Sequence, residues 1–272
     1  MRRMYTVLLF LLVVACTPQD RNSNQGLLPN DFITTNESII NDSAGHWLSE
    51  NVLFWYQQSI DPNASYYLVS NDLNNSAGMN RYLLEKSELG VQNSIKTPHL
   101  VDNGLALSFV NSLPSNELKQ LLKTQLLLLK VDSNDQPIQL SRLQTGFVID
   151  DIYSNKASKI TDFGAVIYGN KTKFTLWAPT ANSVDVLIFD ADKQLIQTYA
   201  LTEQKASGAW TTDVENNLFA AFYQYQINLY HPVTEKIETL VTTDPYSLSL
   251  SANSQYSQIT DLSHELTKPN GW

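Results

Sequence analysis

Cysteine is almost absent: Cys16 is the single one in 272 residues, so no disulfide can close within the chain. Positive charge is also scarce, with 18 Lys and Arg against 27 Asp and Glu and a formal charge of −9. The basic residues are scattered and form no stripe, so nucleic acid is not an expected partner. Glycine is modest at 10 residues, and neither a Gly-x-Gly turn nor a Walker-type loop occurs, which argues against nucleotide binding. A Gly-x-Ser-x-Gly elbow is missing too. His46, His99, His231 and His264 stand apart without paired ligand spacing, so a zinc site is not expected. The expectation is no metal and no cofactor.

Long apolar runs are few. Val7 to Val14 is unbroken, but it is far short of the ~20 residues that a membrane-spanning helix needs. With Arg2 and Arg3 before it, the run reads as the core of a signal peptide. It ends in Val13-Val14-Ala15-Cys16, the pattern of a bacterial lipobox, in which the cysteine thiol is lipidated and becomes the new N-terminus. Residues 1–15 are therefore expected to be a lipoprotein signal peptide and Cys16 the lipidation site. Thr17 follows in place of an Asp, so inner-membrane retention is not signalled. The expected location is extracytoplasmic, lipid-anchored to an outer membrane or cell surface. Residues 16–42 are polar and patternless and read as a flexible tether.

What is present in quantity is strand pattern. In the first body, residues 43–158, the runs His46–Leu48, Val52–Tyr56 and Ser65–Ser70 are aromatic and β-branched between turn residues. Ser115 to Leu122 spaces Leu118, Leu121 and Leu122 as one short helix capped by Ser115. Thr124 to Val131 holds four consecutive leucines and reads as a buried central strand. Ile138 to Thr145 follows as its paired strand. The second body, residues 159–254, carries seven short strands, at 165–168, 173–177, 184–189, 196–201, 208–214, 223–230 and 237–241. Near-regular spacing without a helix suits an immunoglobulin-like sandwich. Phe174 and Leu176 share a face, as do Val184, Val186 and Ile188. Pro179 between them ends pairing, which fits either a hairpin or the corner of a sandwich. The fold class expected is all-β: two β-sandwich domains in tandem, with one short helix in the first.

Four motifs occur in order: Phe174-Thr175-Leu176-Trp177-Ala178-Pro179-Thr180-Ala181, Ser207-Gly208-Ala209-Trp210, Phe222-Tyr223-Gln224-Tyr225, and Thr243-Asp244-Pro245-Tyr246 through Ser254. Together they resemble the isoamylase N-terminal type carbohydrate-binding module of bacterial pullulanases. Ala44-Gly45-His46-Trp47-Leu48 and Gly146-Phe147-Val148-Ile149-Asp150-Asp151-Ile152-Tyr153 resemble the domain that precedes that module. The resemblance covers about Ser43 to Trp272. It implies a lipoprotein whose family follows these modules with an α-amylase-clan barrel, cleaving α-1,6 branch points in pullulan, starch and glycogen dextrins. Such a barrel takes ~250 residues and works with two carboxylates about 5 Å apart.

The expectation for this chain is the non-catalytic portion, with residues 255–272 as a linker to a missing barrel. The family's nucleophile lies in an Arg-x-Asp motif. Here Arg2, Arg3, Arg21, Arg81 and Arg142 are followed two places on by Met4, Tyr5, Ser23, Leu83 and Gln144, so no catalytic residue is assigned. The expected partners are α-glucan, the barrel and the membrane through the lipid.

Sugar sites stack aromatic faces on pyranose rings and hydrogen-bond hydroxyls with amides and carboxylates. Trp55 and Trp210 are candidates for that role, with a core position as the competing reading. Trp47 and Trp177 fit core or interface positions better. Asp150-Asp151 reads as a solvated turn rather than an acid/base pair. Asp244 and Tyr246 are assigned to interdomain packing. The rival readings are an autonomous surface starch-binding lipoprotein and a structural immunoglobulin-like adhesion module.

Overall fold

The computed structural model describes residues 25–56, 58–75, 78–87, 104–269 and 271. The signal peptide, Cys16 and the tether as far as residue 24 lie outside the described residues.

In the first domain, strands β1 (Gln25–Leu28), β2 (Ile40–Ser49), β3 (Val52–Tyr56), β4 (Ser65–Asn71), β5 (Met79–Lys86), β6 (Gly104–Phe109), β7 (Gln125–Val131) and β8 (Pro137–Gln144) form one sheet. Its order is β1-β5-β4-β7-β8-β2-β3-β6, and β6 returns to pair with β5. The first domain is thus closed into a ring, with β1 appended outside it. The all-β class expected holds, and in this part the sheet takes a barrel-like form of it. All pairings are antiparallel except β2 with β8, which run parallel.

The leucine run is central, as its pattern requires. β7 lies between β4 and β8 and is buried on both faces. Leu126 and Leu128 point into the ring with Trp47, Trp55, Tyr66 and Leu107. Leu127 and Leu129 point outward to Val69, Met79 and Leu140.

That outer patch explains one correction. Residues 25–40 do not hang free as a tether. β1 pairs with β5, a short helix α1 (Phe32–Thr35) and a 3-10 turn at Glu37–Ile39 follow, and Leu28, Phe32, Ile33, Ile39 and Ile40 pack on the patch. Five apolar side chains spread through a polar segment are too sparse to show a period, yet they cover it.

Helix α2 (Ser115–Leu121) stands as predicted, although Pro114 is its N-cap residue and no side chain caps it. A longer helix, α3 (Gly146–Ala157), was not expected. It occupies the stretch read as a family junction with a solvated Asp150-Asp151 turn. Leu118, Leu121 and Leu122 with Val148 and Tyr153 close the ring's interior.

The second domain carries β9 (Gly164–Tyr168), β10 (Lys171–Trp177), β11 (Ala181–Phe189), β12 (Leu195–Ala200), β13 (Thr202–Gln204), β14 (Ala209–Val214), β15 (Phe222–His231), β16 (Lys236–Thr242), β17 (Ser249–Leu250) and β18 (Ser257–Gln258). Sheet β13-β14-β10-β9 faces sheet β12-β11-β15-β18-β17, with β16 beside β15. Phe174 and Leu176 from one sheet meet Val184, Val186, Ile188, Tyr223 and Tyr225 from the other in one core. β10 and β11 belong to different sheets, so the Ala178–Thr180 link is a sandwich corner and not a hairpin.

Candidate functional site

The two domains meet along α2, α3 and β8 on one side and β13, β14 and the β15–β16 turn on the other. Lys123, just beyond α2, donates to Glu203 Oε2 at 2.8 Å, with the lysine 8% and the glutamate 14% exposed. The same Lys123 Nζ lies 5.4 Å over the ring of Trp210. Lys119 Nζ donates to the Lys205 carbonyl at 2.9 Å. Arg142 on β8 bonds Glu235 at 2.5 Å, fixing the turn between β15 and β16. Burial, with Glu203 nearby, pushes the Tyr153 phenol up to about 12.

Gly208 shows how close the approach is. Its φ is +69°, and a Cβ there would lie 2.6 Å from Pro179 Cβ and 3.2 Å from Tyr153 Cδ1. A side chain would therefore be strained in its own backbone and would collide with Pro179 of its own module, while Tyr153 of the first domain would have to give way slightly. Trp177 also crosses: it packs against the first domain's core while its Nε1 donates to the Ser207 carbonyl at 2.9 Å. Beside these contacts, Leu126, Leu143, Ile149, Thr180 and Tyr230 line a mainly apolar cavity of about 250 Å³.

The tryptophans put forward for sugar are not available to it. Trp55 is fully buried inside the ring, edge-on to Tyr66 at 6.4 Å. Trp210 is 6% exposed and donates Nε1 to the Ala178 carbonyl at 2.9 Å. A pyranose needs an open ring face, and neither indole offers one. The unbroken apolar run Val52–Trp55 is the sequence signal for this: four consecutive residues of β3 are buried, so the strand has no outward face.

Asp244 and Tyr246 also separate. Asp244 is 4% exposed, so it is an interior group of the module and not a contact surface. Its Oδ2 accepts from Tyr223 Oη at 2.8 Å, its Oδ1 from the Tyr246 N–H at 2.8 Å, and its own N–H donates to Ser257 Oγ at 2.9 Å. Burial raises its pKa, opposed by the hydrogen bonds from Tyr246 and Tyr223. Burial and the facing carboxylate push the Tyr223 phenol up as well. Tyr246 is 38% exposed and stacks on Phe163 at 4.6 Å and 15°. One of the pair holds the turn; the other presents a ring at the surface. Asp151 is not a catalytic partner for Asp150 either: its Oδ2 accepts the Glu50 N–H at 2.9 Å and pins α3 to the β2–β3 turn.

Among the described residues, no group of three His, Cys, Asp or Glu could hold a metal ion, and no helix is long and apolar enough to cross a membrane.

A domain of eight strands, seven of them closed into a ring, joined to a two-sheet sandwich through buried polar contacts defines a tandem of β modules. Residues 42–151 match the family model of the pullulanase N2 domain, and residues 162–247 match carbohydrate-binding module 48, the isoamylase N-terminal domain. The chain is homologous to the N-terminal region of Klebsiella pullulanases.

The pullulanase of Klebsiella pneumoniae is 34% identical over 233 residues, which is 84% of this chain and 21% of that protein. The chloroplastic pullulanase 1 of Arabidopsis thaliana is 28% identical over 85% of this chain and 24% of its own length. The crystal structure of the apo pullulanase from Klebsiella pneumoniae superposes with a TM-score of 0.77 at 30% identity, over 91% of this chain and 27% of that one. A Klebsiella pneumoniae pullulanase solved with maltotriose gives 0.73 at 31%, over 85% and 22%. The chain thus spans about a quarter or less of the curated relatives it matches.

Proposed function

We propose that this chain works as the non-catalytic N-terminal part of a pullulanase-type starch-debranching enzyme and helps to position α-glucan. The observation that carries the reading is the order and fit of the two domains. An N2 domain precedes module 48 as in the Klebsiella pullulanases, and the Lys123–Glu203 pair and Gly208 fasten them into one support. The module's family and the maltotriose bound by a related pullulanase support glucan as ligand. A catalytic barrel that acts on α-1,6 linkages is the proposed neighbour. Tyr246 faces outward and suits contact with it, whereas Asp244 acts only by holding Tyr246 in place. Cys16 is proposed as the lipid attachment point of an extracytoplasmic protein, on the strength of the Val13-Val14-Ala15-Cys16 run.

Pullulan incubated with the purified chain should release no reducing ends, while maltohexaose should give measurable heat on titration. Reducing ends would refute the non-catalytic role. A flat titration up to the solubility of the sugar would refute glucan binding. For the anchor, labelled fatty acid should enter the chain in a bacterial host and be lost in Cys16→Ser. Equal labelling of both would remove it.

A further inference from the structure

We infer that a polar cleft between the two domains, beside the apolar cavity with which it shares Thr124, is a contact site for a segment of α-glucan. The inference rests on the glucan reading above and names where the sugar sits. Asp72 and Asn74 from the β4–β5 turn, Asn80 of β5, Glu117 and Gln120 of α2, and Asn182 of β11 converge on a cleft of about 210 Å³. Five of these residues belong to the first domain and Asn182 to the module. The floor is Leu121 and the ring of Tyr82, both nearly buried.

The chemistry of the walls selects the ligand class. Four of the six are side-chain amides, each able to donate and accept, which matches neighbouring hydroxyls of a neutral sugar. The side-chain amides of Asn74, Asn80 and Gln120 have no protein partner among the described residues. Asn182 makes only a long bond, 3.4 Å to Asn228 Oδ1.

An anion is disfavoured. Asp72 and Glu117 make the cleft negative, and its lysine, Lys123, is already held by Glu203 at 2.8 Å. A metal ion is disfavoured as well. Asp72 Oδ1 accepts the Asn74 N–H at 3.0 Å, and Glu117 bonds Tyr82, whose phenol burial and that carboxylate together raise to about 12. A neutral polyhydroxylated chain is the class that remains.

Two contacts brace the cleft without a ligand. Ser70 and Thr124 hydroxyls bond each other at 2.9 Å on one wall, and the interdomain ion pair braces the base. Preorganisation of this kind lowers the ordering cost of binding. With no open aromatic face in the cleft, affinity comes from hydrogen bonds alone, and a dissociation constant in the millimolar range, about −4 kcal/mol, is expected.

Titration calorimetry of the full chain with maltohexaose tests the site. Asn80→Ala combined with Gln120→Ala changes only exposed side chains, so the melting temperature should hold while binding weakens at least about tenfold. Asn182→Ala should weaken it too, showing that the module contributes. Gln197→Ala, on exposed β12 far along the module, should leave binding unchanged. Unaltered maltohexaose binding by the Asn80/Gln120 variant would overturn this site while leaving glucan binding standing. No binding by the unmodified chain would overturn both.

Discussion

The two domains treat their tryptophans in opposite ways. In the ring, Trp47 and Trp55 are fully buried, and their indole N–H groups find no acceptor among the described residues. In the module, Trp177 and Trp210 each donate to a backbone carbonyl at 2.9 Å. The cause is topological. Closing a sheet on itself uses up strand carbonyls in ladder bonds and leaves an interior of side chains alone. A sandwich has corners where the chain leaves one sheet for the other, and the carbonyls freed there can accept. Ala178 lies at such a corner, between β10 and β11, and Ser207 lies in the turn that joins β13 to β14 within one sheet, where ladder bonding also stops. The ring therefore offsets unpaired indole N–H groups by packing, while the module pairs its indoles, although the buried Tyr225 hydroxyl there has no partner among the described residues.

The largest test of that contrast is Trp55. Truncation to Ala should cost about 4 kcal/mol, because a large ring leaves a cavity in a closed interior. Phe should cost only about 1 kcal/mol, since it restores most of the volume and removes an N–H that had no partner. Trp210→Phe should cost more than Trp55→Phe, about 1.5 kcal/mol, because the half-buried Ala178 carbonyl loses one of its two donors and keeps only the Ala181 N–H at 3.1 Å. Urea unfolding of the three variants checks the ordering. If Trp55→Phe proves the costlier of the two Phe substitutions, an acceptor for Trp55 exists and the contrast is wrong.

Legibility in the sequence follows the same divide. Seven of the module's ten strands were readable to within about three residues, because its sheets bury one face and leave alternation in β11 and the start of β15. The short β13, β17 and β18 were not, and β18 with the buried Ile259 carries the module into the stretch read as a linker. The ring was harder. Closure pairs Glu85 with Ser108, a contact between residues far apart in sequence that leaves no local mark. Its strands β3 and β7 are buried on both sides, so they show no alternation to give a side chain's direction, and Trp55 could be placed on a strand but not on a face. Helix α3 escaped for a related reason. Only Val148 and Tyr153 are buried in it, five places apart, which makes no stripe. The polar cleft was invisible because its amides come from a turn, a strand, a helix and the other domain.

The next test is at the seam, where the module's polar pairing meets the ring. Lys123→Ala should cost about 3 kcal/mol, since it strands the Glu203 carboxylate at 14% exposure. Replacing both partners together, Lys123→Met with Glu203→Leu, should recover most of that loss, because two apolar groups of similar size need no partner. Thermal melts should show one transition in the unmodified chain and two in Lys123→Ala as the domains uncouple. A single transition at lower temperature in that variant would mean that the two domains still unfold together, so that the pair stabilises the unit without being what couples its halves.

The smallest expected effect probes the best-paired polar group of the module. Burial raises the Asp244 pKa above that of the unfolded chain, so the folded state keeps the proton where the unfolded state has lost it. Its contribution to stability is then fully present below the ordinary carboxylate range, near 4, and declines as the pH rises through the raised folded value. Asn at this position can still accept from the Tyr246 N–H and can donate to Tyr223, so Asp244→Asn should shift stability at neutral pH by about 1 kcal/mol or less. What it should remove is the slope. Measured by melting temperature from pH 4 to 7, the advantage of the unmodified chain over Asp244→Asn should shrink as the pH rises. An advantage that grows with pH would mean that the hydrogen bonds from Tyr223 and Tyr246 outweigh burial, and that the module holds this carboxylate as an anion.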